Sequence, residues 1–261
     1  MEAPDCTYAG VVTLRDLDLY FTSITTLILT QDVFAQISHL LRLSGYPAEW
    51  YENPKLYYIL RRIKREDIIG KIVDAKFTDL WLPVPKRMLQ KLLGEKDLKT
   101  FIDVQDMCLD EEVALPLSGQ HYSFEDASIM EFQELKVLGA GGYGEVQHVK
   151  DLRNEKEYAR KVMVRPANAK RHHDLMHQFK RELTGMRRVR HRHCVTFRAS
   201  FTDSDSVAIL STPVADMDLA AFLDLDLNVS QLSMLRKAIG CITAAISYLH
   251  EEGIRYVTML L

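Results

Sequence analysis

Between Val137 and Val149 the chain reads "VLGAGGYGEVQHV", with Gly139, Gly141 and Gly144 at G-x-G-x-x-G spacing and Val146 two residues further on. Glycine leaves no side chain in the way, so the backbone N–H groups of such a loop can approach phosphate oxygens. In a dinucleotide fold this loop must open a helix. Here Glu145-Val146-Gln147-His148-Val149 follows, a strand-like run with no helical period, so the loop is expected to join two strands. Further on, Ala159 and Lys161 alternate onto one face of a third strand-like run, Glu157 to Val164, setting a small side chain beside an ammonium. Glu182 falls between Phe179 and Met186 at helical steps of three and four, on the inward stripe of a helix. A carboxylate there needs a cation to offset its desolvation, and Lys161 is the candidate.

Other signals carry less. Between Arg160 and Arg192 there are eleven Lys/Arg against two acids, Asp174 and Glu182. Such a patch can bind nucleic acid, but aromatic interleaving stops at Phe179, and a solvated helix explains it more cheaply. His173 and His177 lie one helical turn apart without a third ligand nearby, so no metal site is read. Cys6, Cys108, Cys194 and Cys241 are scattered with no CxxC, which argues against zinc and against a disulfide framework. The 261 residues are 47% hydrophobic and 26% charged with net charge −3, an ordinary balance for a globular protein. The acidic N-terminus lacks the pattern of a secretory signal, and "ITTLILT" is too short to span a bilayer. The expectation is an intracellular protein, cytoplasmic or nuclear, with no membrane partner.

These side chains need elements to position them. Residues 31 to 108 read as short helices: Val33, Phe34, Ile37, Leu40 and Leu41 recur at helical steps, Gly45 offers a stop, and Pro54 sits just inside a helix start. Pro83 and Pro85 separate two further pieces, and another helix is expected from about Asp97 to Met107. Asp110 to Ser128 shows no period and reads as linker. After Met130 the pattern changes to strands, with a helix from about Asp174 to Val189, strands at 194–201 and 207–211, and a long helix from about Val229 to Glu252. Leu232, Leu235, Ile239, Ile242, Ile246 and Leu249 form its apolar stripe, Asn228 with Gln231 resembles a capping box, and Gly253 ends it. The fold class is α+β: a helical region over 1–118, a linker at 119–130, and a sheet with helices over 131–261.

From Val137 to the last helix the chain resembles the N-terminal lobe of eukaryotic protein kinases of the Ser/Thr type. Leu138, Gly139, Ala140, Gly141, Gly142, Tyr143, Gly144 and Val146 match the glycine-rich lid over ATP, and "YARK" stands where the family has V-A-I-K. The resemblance implies that Lys161 holds phosphates and that Glu182 pairs with it. It also places Ser211 at the back of the pocket, the carbonyl of Thr212 and the N–H of Val214 against adenine, and Asp218 at the ribose. ATP is the implied cofactor, transfer to protein Ser/Thr the implied reaction, and an antiparallel sheet with one helix the implied small lobe. Near the long helix "YLHEEGIRYVTMLL" keeps Tyr248, Leu249, His250 and Ile254 of the family pattern, but Tyr256, Val257 and Thr258 occupy the H-R-D positions. The catalytic Asp, the metal-binding Asn and D-F-G are missing, so Mg, needed in a complete kinase, lacks its protein ligands. The expectation is therefore a truncated, catalytically incomplete kinase domain. The alternatives are a pseudokinase or interaction module acting through its N-terminal or exposed C-terminal helices, and a basic-patch nucleic-acid binder. The N-terminal part, with "FTDLWLP", resembles the region before the kinase domain in some fungal kinases and implies no chemistry.

Overall fold

The computed structural model describes residues 14–24, 29–113, 115, 117, 119–142 and 144–254. The chain divides into two compact units at Asp110/Glu111.

The first unit is all helix: α1 (Leu14–Ser23), α2 (Gln31–Leu43), α3 (Ala48–Tyr51), α4 (Pro54–Arg62), α5 (Ile69–Asp74), α6 (Lys86–Leu89) and α7 (Glu95–Asp106). The periodicity of α2 buries Phe34, Ile37, Leu40 and Leu41, and Pro54 opens α4 as its fixed φ favours. α4 is buried nearly all round, from Lys55 to Leu60. Its first N–H groups are satisfied by a residue far along the chain: both oxygens of Asp79 accept, at 2.9 Å, from the N–H of Lys55 and of Leu56. Asn53 Oδ1 accepts from Asp79 N in return, at 3.0 Å. Lys55 Nζ also reaches Asp110 at 3.0 Å, with both side chains almost fully buried. Helix α1 lies ahead of the region in which the sequence pattern announces helices.

The second unit holds β1 (Gln120–Ser123), β2 (Phe132–Gly141), β3 (Gly144–Asp151), β4 (Glu157–Val164), α8 (Ala169–Arg188), β5 (Thr196–Thr202), β6 (Ser206–Thr212), α9 (Leu219–Leu223) and α10 (Val229–Glu251). One six-stranded sheet runs in the order β1-β5-β6-β4-β3-β2. Five strands pair antiparallel, but β1 lies parallel to β5 at the edge, so the sheet is mixed rather than purely antiparallel. The segment expected to be a linker at 119–130 supplies this strand, and the unit boundary falls before it. Its apolar side chains explain why. Leu117, Tyr122, Phe124 and Met130 pack with Val149, Tyr158, Ala199, Phe201, Ala208 and Leu210 on one face of the sheet. Tyr122 stacks on Phe124 at 5.8 Å, and Phe124 meets Phe201 at 6.1 Å. Four apolar residues spread over fourteen positions show no period, because an irregular strap rather than a regular element delivers them.

Helix α10 starts with the anticipated capping box, Asn228 and Gln231 exchanging side-chain and backbone hydrogen bonds at 2.9 Å. It ends at Gly253 in the left-handed region, with Ile254 N donating to Leu249 O at 2.8 Å.

Candidate nucleotide site

The glycine turn is a hairpin between β2 and β3, with Gly139 opposite Val146, Ala140 opposite Glu145 and Gly141 opposite Gly144. The two strands slip by a bulge between Val137 and Gly139, where half-buried Leu138 sits. Gly144 is demanded by the fold: its φ is +114°, and a Cβ there would stand 2.2 Å from the carbonyl oxygen of Val162. At Gly139, Gly141 and Gly142 a Cβ would meet nothing within 4 Å. Packing gives no reason for glycine at these three positions, although glycine in a strand costs stability. A ligand that must approach the backbone supplies one. Tyr143 lies outside the described residues.

Cross-strand register carries the site onward. Val146 pairs with Lys161, Lys161 with Ile209, and Ala159 with Ser211, so these five side chains share one face of the sheet. The opposite face is the one covered by the 117–130 strap. Helix α8 lies on the Lys161 face. It buries His172, Met176, Phe179, Leu183 and Met186, and that stripe carries Glu182 inward. Lys161 Nζ donates to both carboxylate oxygens of Glu182 at 2.8 Å, the two side chains being 17% and 14% exposed. The pair is thus desolvated enough to be held and open enough for an anion to reach the ammonium. Residue 160 points to the other face, where Arg160 donates to Gln147 at 2.8 Å and covers the Phe132 ring.

Beyond β6 the chain leaves the sheet. Thr196 is the strand partner of Thr212, whose hydroxyl accepts from Arg198 Nε at 2.7 Å. Val214 is half-buried. Asp218 caps α9, accepting from Ala221 N at 2.7 Å, so one carboxylate oxygen is engaged with its own helix. The sequence pattern did not reveal this cap. Among the described residues no group of three His, Cys, Asp or Glu could hold a metal ion. The rings of His173 and His177 lie 4.4 Å apart at a tilt of 39°, and His191 stacks on Tyr248 at 5.0 Å. Desolvation first, then the charges of Arg192 and His191, holds His193 below the usual imidazole range. Tyr256, Val257 and Thr258 lie outside the described residues.

A glycine hairpin, a strand lysine and a helix glutamate, ordered along one sheet face, define the small lobe of a protein kinase. Comparison with known proteins agrees. Residues 132–259 match the protein kinase domain. Over 119 residues the chain is 29% identical to the serine/threonine-protein kinase PLK2 of Mus musculus, and equally to those of Rattus norvegicus and Pongo abelii. Each match covers 46% of this chain and 17% of the relative. The 132–259 region belongs to the eukaryotic protein kinase superfamily.

Proposed function

We propose that this lobe binds ATP, with the β2–β3 turn over the phosphates, Lys161 as their cation and Glu182 as the group that holds Lys161 in place. The observation that carries the reading is the two-pronged Lys161–Glu182 contact at 2.8 Å on the face shared with Val146, Ala159 and Ser211. The residues suit the group: three glycines free of packing demands, a half-buried cation, and small side chains at Ala159 and Ser211 where a flat base needs room. Thr212 and Val214 would offer backbone groups to adenine, and Asp218 its remaining carboxylate oxygen to ribose. Mg, when bound, would supply charge neutralisation at the phosphates.

For the reaction of the family, transfer of a phosphoryl group to a protein hydroxyl, a carboxylate must take up the hydroxyl proton. The matched region extends through residue 259 and carries Thr258 where that carboxylate would stand. A threonine hydroxyl does not serve as that base near neutral pH. The reading is therefore nucleotide binding without transfer by this chain.

Saturating ATP should raise the melting temperature of the full chain, since a ligand at a hundred times its Kd stabilises by about 2.7 kcal/mol. Lys161→Met should remove that rise. It should do so also with Glu182→Gln added, which spares the fold an unpaired carboxylate. Equal shifts in parent and variants would defeat the reading. Labelled-phosphate transfer to a basic protein should stay at background, and Lys161-dependent transfer would overturn the statement about Thr258.

A further inference from the structure

We propose that β1 is a positioning element for the Lys161–Glu182 pair, acting through His121. The five antiparallel strands form a continuous sheet without β1, which adds four residues in parallel at the β5 edge. Register sets His121 opposite Ser200, on the face that α8 covers. His121 Nδ1 lies 2.9 Å from Ser200 Oγ, and Nε2 lies 3.4 Å from Thr202 Oγ1. The imidazole then meets Phe179 of α8, ring centroids 6.0 Å apart.

Phe179 is fully buried and stands three residues before Glu182, on the same side of the helix. Beside His121 on this face Ser123, Ser200 and Thr202 are small and buried, and the next large ring on β5, Phe197, lies further along under Arg187 of α8. The imidazole is thus the bulky group between the edge strands and Phe179. At the N-terminal end of α8, Arg165 Nε donates to His172 at 3.1 Å. The helix is therefore held at His172, Phe179 and Glu182 along one stripe. A shift of about 1 Å at Phe179 would stretch a 2.8 Å contact out of hydrogen-bond range. Docking of β1 is a local event at a sheet edge, and the lysine–glutamate pair reads it. His121 touches neither Lys161 nor Glu182 and works through the helix.

This inference rests on the reading of Lys161 and Glu182 as the phosphate-holding pair, but its test needs no nucleotide. An amine whose protons are engaged by two carboxylate oxygens is slow to acylate. The full chain is treated with an acetyl N-hydroxysuccinimide ester, and the labelling rate of Lys161 is followed by mass spectrometry, with exposed Lys156 as reference. Glu182→Gln sets the rate of the unpaired lysine. His121→Ala should raise the Lys161 rate at least about threefold towards that value while Lys156 is unchanged. Should all lysines accelerate together because the variant unfolds, His121→Gln decides. It keeps a polar group for Ser200 without the ring, and must accelerate Lys161 alone. An unchanged Lys161 rate in the folded variant, or no response to Glu182→Gln, overturns the inference. A chain showing no ATP-induced rise in melting temperature but a His121-dependent Lys161 rate would defeat the proposed function and leave the positioning role standing.

Discussion

At the scale of single residues the glycine turn separates what the fold needs from what a ligand needs. Gly144 holds a positive φ against the Val162 carbonyl, so Gly144→Ala should destabilise the lobe by about 1–3 kcal/mol. Gly141 meets open space, and Gly141→Val should leave stability within about 0.5 kcal/mol while weakening ATP. Urea unfolding with a nucleotide titration checks both, and strong destabilisation by Gly141→Val would show that packing selected that glycine. Asp79 offers a pH test. Burial pushes its carboxyl up to about 6, against the pull of the Leu56 and Lys55 amides. The folded group then binds its proton more tightly than the unfolded one, so its contribution is largest below about pH 4 and is lost as pH rises through about 6. Relative to Asp79→Asn, the parent should gain stability on acidification from pH 7 to 4. Trp50 and Trp81 are the only tryptophans and both lie in the first unit, so their fluorescence reads that unit within the full chain. A difference between parent and variant that stays constant with pH would refute the assignment.

At the scale of elements, α10 is the test of what is packed. Of the stripe that the sequence announces, Leu249 is 2% exposed, whereas Leu232, Ile239, Ile242 and Ile246 range from 38% to 62%. Its C-terminal end is tied to the lobe: Tyr248 Oη accepts from Arg190 N at 2.8 Å, and Arg188 donates to Glu252 O at 2.6 Å. By length and composition α10 could also cross a membrane, though Arg236 and Lys237 sit near its middle. Ile242→Asp should cost less than about 0.5 kcal/mol and Leu249→Ala about 2 kcal/mol or more. Amide exchange should be fast over the first turns of α10 and slower around Leu249. The reverse order would mean that the first turns are buried against a surface. Elements with strong periods were legible from sequence alone: α2, α8 and α10, with the α10 capping box, and the inward place of Glu182 on α8. The hairpin reading of the glycines was legible too, because no helical period follows Gly144. Strand β1 was not. Four residues are too few to show alternation, and its partner β5 lies nearly eighty positions further on. The cap at Asp218 was not legible either, because the family resemblance assigns that carboxylate to the ribose.

At the scale of the whole molecule, two units share one chain, and among the described residues the second carries the site with legible chemistry. The helical unit of residues 14–110 builds its own core and has its own buried ion pair at Lys55–Asp110. The kinase-family unit is a sheet with both faces occupied, one by the 117–130 strap and the other by α8 and the Lys161–Glu182 pair. The central claim is that the phosphates of ATP rest at Lys161. An acyl-phosphate derivative of ATP delivers its acyl group to an amine held beside the phosphates, where proximity overrides the low intrinsic reactivity of a paired lysine. After digestion of the labelled full chain, mass spectrometry should find the acyl group on Lys161, with labelling suppressed by excess unmodified ATP. The account is contradicted if Lys161 stays unlabelled, or if excess ATP leaves its labelling unchanged.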